Sequence, residues 1–235
     1  MSTTRIDFHS HILPGLDHGS RKLETSLKQL DLIQKGGTEI VVATSHFYPA
    51  RMNLDDFLAR RRHSLAQFCP NLTENHPKIA LGTEVACYPG LHHMDGLETL
   101  CIAGTDCMLL EMPLAKWSSE LYETVDAITE RGIQVILAHI DRYDQKDVEE
   151  LMTLDVMAQI NASSLCSFFR RRKLRHWFEE GRVWALGSDL HGAEEGGYDH
   201  FLKAIDKLGE NTVNEVMENS RELLTNAKFL TQNGI

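Results

Sequence analysis

No stretch of this sequence approaches the roughly 18 uninterrupted apolar residues of a membrane-spanning helix, which excludes a spanning segment. An apolar leader is missing too. The opening MSTTRIDFHSHILPG carries a charge and two histidines where an export signal needs an apolar stretch, so the cytoplasm is the expected compartment. Cysteine is scarce. The 5 present (Cys69, Cys87, Cys101, Cys107 and Cys166) are odd in number and never spaced C-x-x-C, which excludes a disulfide framework or zinc ribbon and leaves free thiols. Positive charge is in deficit, with 24 Lys and Arg against 34 Asp and Glu, a net charge of -10. A phosphate-tracking surface needs clustered cations, so nucleic acid is not an expected partner. One basic run exists, Arg170, Arg171, Arg172, Lys173 and Arg175 within FFRRRKLRHWF, and it reads as a solvated helix face. Linkers rich in Pro, Gly or Ser, internal repeats and low-complexity segments are lacking, so a single domain over residues 1–235 is expected.

What is present is alternation. Short apolar, β-branched runs follow longer amphipathic ones, the pattern of βαβ units around a parallel sheet. Seven strands are expected: Arg5–His9, Glu39–Thr44, Lys78–Val85, Cys107–Met112, Ile133–His139, Val156–Asn161 and Arg182–Ser188. Between the first two, Leu23, Leu27, Leu30 and Ile33 recur at helical spacing after Ser20, the expected N-cap, and Gly36-Gly37 ends the helix. Further helices are expected at Leu54–Phe68, Ser119–Arg131, Lys146–Thr153, Leu165–Glu180 and Tyr198–Leu208, with a polar helical segment from Thr212. The architecture is therefore α/β, and a barrel is the natural closure. The turn from His11 to Ser20 lacks the G-x-G-x-x-G that a dinucleotide site in an open sheet would need.

Laid on those strands, the polar residues collect at C-terminal ends. His9 and His11, two apart in DFHSH, point the same way and can share a cation. With 12 histidines in the chain, chance gives roughly half an H-x-H, so the motif alone says little. Repetition is the evidence. His18 also follows strand one, His46 strand two, Glu84 strand three, Glu111 strand four, His139 strand five, and Asp189 with His191 strand seven. Parallel barrels assemble their active sites at this face from the ends of several strands. Nine nitrogen and oxygen donors exceed the need of one four-coordinate ion, and the absence of thiolates points to Mn²⁺, Zn²⁺ or Fe²⁺. Glu84, near the middle of the set, is a reasonable bridge between two ions, where a shared water would lose its proton near neutral pH. By contrast His63, His76, His92, His93, His176 and His200 fall in expected helices or loops and read as surface residues.

The order DFHSH, a further His, TSH, an isolated Glu, LLEMP, AHIDRY, QINA and SDLH resembles the PHP (polymerase and histidinol phosphatase) superfamily over nearly the whole chain. Within it, DFHSHILPGLDHGS, LLEMP, LAHIDRY, QINASSL and ALGSDLHG look most like the capsular-polysaccharide tyrosine phosphatases of the CpsB/CapC group. That resemblance implies a distorted (β/α)7 TIM-like barrel with a trinuclear site, manganese first among the candidate metals and iron or zinc as alternatives. It implies His9, His11, Glu84 and Asp189 on one ion, Glu84, Glu111 and His139 on a second, and His18, His46 and His191 on a third. Arg142 stands where the family has a phosphate-binding arginine, and Arg142, Glu84 and Asp189 are the implied catalytic residues. The implied substrate is a phosphotyrosine-containing protein, such as the tail of a bacterial tyrosine kinase, hydrolysed by a metal-bridged hydroxide; the resemblance does not fix an oligomeric state. Asp7, Asp17 and Asn161 are candidates for orienting the ligands.

The sequence also departs from that group. Asp17-His18-Gly19 stands for the usual D-D-G, Ser45 and Ile140 stand for prolines, and GAEEGGYDH after His191 holds Glu194 and Glu195 but not the arginine presented to substrate. The alternatives weighed are a small-molecule phosphatase such as one for histidinol phosphate, and a non-catalytic metal-binding regulatory protein. A cysteine phosphatase is rejected: Cys166-S-F-F-R-R-Arg172 satisfies C-x5-R only formally, since Phe168 and Phe169 replace the small residues of a phosphate-cradling loop. A metal-dependent amidohydrolase shares H-x-H after strand one but would not be expected to carry LLEMP.

Overall fold

The computed structural model describes residues 3–194 and 196–235; Glu195 lies outside the described residues. In chain order the regular elements are β1 (Ile6–Ser10), α1 (Leu23–Lys35), β2 (Ile40–Ala43), β3 (His46–Phe47), α2 (Leu54–Phe68), β4 (Lys78–Leu81), β5 (Glu84–Ala86), β6 (Cys107–Glu111) and α3 (Ser119–Glu130). They continue with β7 (Gln134–Leu137), α4 (Gln145–Leu151), β8 (Val156–Asn161), α5 (Ala162–Leu165), α6 (Phe168–Glu179), β9 (Val183–Gly187), α7 (Asp199–Leu208) and α8 (Glu210–Leu223). Every strand pair is parallel, in the orders β1-β2-β4 and β3-β5-β6-β7-β8-β9.

One expected strand is broken in two and another gains a short successor. Strand three breaks at Gly82-Thr83 into β4 and β5, strand two stands as β2 and is followed beyond Thr44-Ser45 by β3, and in each case the two pieces fall in different sheets. Gly82 N–H donates to the Ala43 carbonyl (2.9 Å) and Glu84 N–H to that of Ser45 (3.2 Å), so the two staves stay together through the breaks. The register then sets His46 opposite Glu84. Below the breaks β4 has no strand on its far side among the described residues. Ala103 N–H donates to Leu81 O, and the C-terminal segment pairs there through Leu230 N–H to Ile79 O and a bridge between Ala80 and Phe229. This split is the distortion of the barrel.

The ring closes where β9 meets β1. Asp189 N–H donates to His9 O (2.8 Å) and His11 N–H to Leu190 O (3.2 Å), with Ser10 and Leu190 in a parallel bridge. The buried carboxylate of Asp7 adds to the seam by accepting from Ser188 N–H at 2.8 Å. Burial pushes the Asp7 carboxyl up to about 6 despite that bond. The strands are buried at consecutive positions, on both faces, and the core continues onto the inward faces of the helices, including Phe8, Val42, Leu110, Ile136, Ile160, Leu30 and Val125.

Several local expectations need correction. Ser20 does not cap α1: Lys22 occupies the N-cap without a side-chain bond, while the buried Ser20 hydroxyl pairs with that of Ser26 at 2.7 Å. The helix expected over Leu165–Glu180 is two, separated at Cys166-Ser167. All five cysteines are unpaired, four of them buried. His76, His92 and His176 are half-buried, where surface positions are expected. No helix among the described residues is long and apolar enough to cross a membrane.

Gly187 ends β9 against the first strand. A Cβ there would fall 2.4 Å from His9 Cβ and 2.7 Å from Gln159 Nε2. Gly187→Ala should therefore lower the thermal unfolding midpoint by roughly 5 °C, the effect of overpacking a rigid site. A midpoint within about a degree of the parent would show that the strands part without strain.

Candidate metal centre

Parallel strands place residues at their C-terminal ends on one rim, and the donors meet there. His9 Nε2 lies 3.1 Å from His11 Nε2, and Glu84 Oε2 lies 3.2 Å from the first and 3.3 Å from the second. Asp189 Oδ1 is 3.3 Å from His11 Nε2 and 3.4 Å from His191 Nδ1. On the other flank His139 Nε2 lies 2.8 Å from Glu84 Oε1 and 3.7 Å from Glu111. His46 Nδ1 is 2.8 Å from Glu84 Oε2 and 3.8 Å from Glu111. His18 is exposed at the rim, its ring stacked on His46 with centroids 5.0 Å apart and 4.6 Å from that of His191. All nine donors expected from the sequence thus occupy one neighbourhood, and His46 lies nearer Glu84 than the grouping implied by the resemblance would put it.

Backbone conformation aims two of these side chains. His139 (φ 34) and Asp189 (φ 53) are the non-glycine residues with positive φ among the described residues. A side chain in that region is strained, and such strain gathers where function demands a direction. Gly19 permits another close approach: a Cβ there would fall 2.1 Å from His11 Cβ.

A surrounding set of hydrogen bonds orients the rings. Asp17 Oδ2 accepts from His11 Nδ1 (2.8 Å) and from His46 N–H (2.9 Å), which turns His11 Nε2 toward the cluster. Gln159 Oε1 accepts from His139 N–H (2.7 Å) and from His9 Nδ1 (3.2 Å), leaving His9 Nε2 inward. Gln159 Nε2 donates to Asn161 Oδ1 (3.0 Å), and Asn161 Nδ2 to Asp189 Oδ2 (2.8 Å). The Tyr143 hydroxyl lies 3.1 Å from His139 Nδ1 and accepts from Met112 N–H. Arg142 donates to Asp189 from a short helical turn over Ile140–Arg142, its side chain 44% exposed. Sequence reasoning missed Gln159 and Tyr143. The signal for the first was its place two residues before Asn161 on the same strand face, and for the second its place four residues after His139.

The donor set fits divalent cations. Three groups, His9 with His11 and Glu84, His11 with His46 and His191, and His46 with Glu84 and Glu111, each bring ligand atoms within 4.8 Å of one another. His46 Nδ1 and Glu84 Oε2 are buried and without a hydrogen-bond partner among the described residues, although only 2.8 Å apart. Two imidazole nitrogens facing each other at 3.1 Å likewise need a proton or a cation between them.

Electrostatics of the metal-free cluster follow from burial against charge. Burial alone would raise Glu84, but His9 and the neighbouring imidazoles outweigh it and hold the carboxyl well below its usual range. Burial would lower His9 and His11, yet Glu84 and Asp189 raise both, and Asp17 raises His11 further. His191 is pushed down to about 4 by burial and by His11, and Glu111 is raised by burial and by Glu84. The cluster therefore holds protons where it would hold metal.

Residues 5–225 match the family described as Capsular polysaccharide synthesis, CpsB/CapC. The tyrosine-protein phosphatase CpsB of Streptococcus agalactiae is 25% identical over 246 residues, covering 94% of this chain and 98% of that protein. Its counterpart from Streptococcus pneumoniae is 24% identical, covering 93% and 98%. Among solved structures, one from work on YwqE of Bacillus subtilis and CpsB of Streptococcus pneumoniae, described as unique metal-dependent tyrosine phosphatases, superposes with a TM-score of 0.73 at 20% identity over 95% of each chain. A putative 2-pyrone-4,6-dicarboxylic acid hydrolase from Pseudomonas putida superposes with a TM-score of 0.57 at 14% identity, covering 96% of this chain and 98% of that one. At these identities the structural likenesses are of fold.

Because the raised histidine pKa values belong to the metal-free form, Mn²⁺ must displace protons, and affinity should rise with pH until the imidazoles are neutral. Calorimetric titration between about pH 6 and 8 should show roughly tenfold tighter binding per unit for each proton displaced, with heats that depend on the buffer. Affinity independent of pH would contradict this account of the cluster.

Proposed function

The chain belongs to the CpsB/CapC family of capsular polysaccharide synthesis, and from that premise we propose that it is a metal-dependent phosphomonoesterase acting on phosphotyrosine in proteins. The observation that carries the reading is the convergence of His9, His11, His18, His46, Glu84, Glu111, His139, Asp189 and His191 on one rim. In this reading His9, His11, Glu84 and Asp189 hold one ion, Glu84, Glu111 and His139 a second, and His18, His46 and His191 a third. The donors suit manganese and would also take iron or zinc. Such ions supply Lewis-acid polarisation of phosphoryl oxygens and bound water of lowered pKa.

The chain's own residues do the rest. Arg142 presents a guanidinium fork beside the cluster, the geometry that matches a phosphate in two parallel hydrogen bonds. Glu84, buried among imidazoles and ionised, is placed to serve more than one ion. Asp17, Gln159 and Tyr143 keep His11, His9 and His139 turned toward the substrate side. A phenol leaves more readily than an alkyl alcohol, so the reaction makes less demand on a general acid, and none is assigned. The partner is a phosphotyrosine-bearing protein, such as the tail of a bacterial tyrosine kinase, met in the cytoplasm. The names of the Streptococcus relatives support this choice.

With Mn²⁺, the protein should hydrolyse p-nitrophenyl phosphate and a phosphotyrosyl peptide in preference to histidinol phosphate, and chelator should abolish turnover. His139→Ala and Asp189→Ala should stay folded and lose more than about 100-fold in kcat/KM, beyond the loss that follows from misorienting a ligand. Arg142→Ala should raise KM by about tenfold or more, as expected for a lost charge-assisted bond. Preference for histidinol phosphate would move the protein to small phosphomonoesters, and full activity in Asp189→Ala would remove the site.

A further inference from the structure

Beside the cluster a cleft of about 610 Å³ opens, and Arg142 lines it together with Arg170 and Lys173 of α6. Its floor is apolar: Ile140, Val148, Leu174 and Trp177 are all buried. Arg170 and Lys173 are exposed and three residues apart, so one helix face presents both. Among the described residues of α6, only Arg175 forms an ion pair with a carboxylate, with Glu179. Arg170 makes one weak contact, from Nη1 to Ser164 Oγ at 3.5 Å.

Two carboxylates also line the cleft, and both are engaged elsewhere. Asp141 accepts from Asn161 N–H and from the Ser164 hydroxyl, and Asp144 caps α4 by accepting from Lys146 N–H. A chain of net charge -10 thus concentrates unpaired cations on the cleft it shares with Arg142. The segment after His191, GAEEGGYDH, offers no Lys or Arg, so α6 is the source of positive charge there.

We propose that this cleft selects acidic phosphotyrosyl segments: with the phosphate at Arg142, Asp or Glu residues a few positions away meet Arg170 and Lys173. The inference rests on the phosphatase reading and adds the sequence context of its substrate. An extended chain advances about 3.3 Å per residue, so neighbouring side chains come within reach of a second cation without a folded partner. An anionic lipid surface is the competing match for this helix, since Phe168 and Phe169 beside the run are 62% and 79% exposed. The concave setting of Arg170 and Lys173, on an apolar floor shared with Arg142, favours a peptide.

The test compares two phosphotyrosyl peptides of equal length, one with Asp and Glu flanking the phosphotyrosine and one with Ala and Gln, using the Mn²⁺-loaded protein. The acidic peptide should have a kcat/KM about fivefold or more higher, expressed in KM and eroded by salt, as two exposed ion pairs would give. In the double variant Arg170→Ala, Lys173→Ala, with the circular dichroism of the parent, the ratio should fall to within about twofold, and charge reversal to Glu at both positions should invert it. Equal turnover of both peptides by the parent would overturn this proposal and leave the phosphatase reading standing. Turnover of p-nitrophenyl phosphate with neither peptide cleaved would overturn both. A ratio that survives in the double variant, with sedimentation on phosphatidylglycerol vesicles lost instead, would assign the cations to a membrane and end the proposal.

Discussion

Glu84 is a carboxylate whose side chain is 1% exposed, and the arrangement of the rim follows from having to surround it. An ionised group taken out of water costs several kcal/mol unless opposite charge and hydrogen bonds replace the lost hydration. Here His9, His11, His46 and His139 do so, each with a ring nitrogen within 3.3 Å of a Glu84 oxygen. No one strand could supply four imidazoles to one carboxylate. They come from the end of β1 and just beyond it, from the start of β3 and from just beyond β7, which is why the ring of parallel strands precedes the chemistry.

The irregularities of the barrel serve the same end. The breaks at Thr44-Ser45 and Gly82-Thr83 let β3 and β5 pair in a register in which His46 faces Glu84, while β2 keeps its own pairing with β1 on one side and β4 on the other. Closure of β9 on β1 brings Asp189 to His9 and His11 through backbone bonds, and Gly187 leaves room for the strands to touch. Gly192 N–H donates to Gly19 O at 2.7 Å, binding the loop that carries His191 to the loop that carries His18. Local conformation and long-range pairing therefore fix the same side chains twice.

Much of this was legible before any coordinates because the signal was periodic and repeated. Seven apolar runs, six of them ending in or followed by His, Asp or Glu, place the rim without knowledge of any contact. The break in strand three and the short β3 beyond strand two were not legible. Thr44-Ser45 and Gly82-Thr83 disfavour a strand only weakly, and the choice to split depends on which neighbour each half can pair with, a tertiary effect. Ser20 carries a capping side chain, yet its hydroxyl is drawn into the core by Ser26, so propensity yielded to packing. Gln159 and Tyr143 escaped for a different reason. Neutral side chains that orient a histidine have no charge or spacing of their own to betray them, and their role appears only with the ring they hold.

A cluster like this is hard to explain as a device for stability. Replacing a buried set of charges by packed apolar side chains is commonly neutral or stabilising, so retaining it asks for another reason. The strain points the same way. His139 and Asp189 both carry positive φ, and both stand at the ends of strands where barrel enzymes place reacting groups. Elsewhere the strands are filled by Val, Ile, Leu and Phe, as in Phe8, Val42, Leu109 and Ile136, with no comparable sacrifice of packing. The unfavourable terms are concentrated at one rim, and the apolar interior beneath supplies the stability that lets the rim bear them.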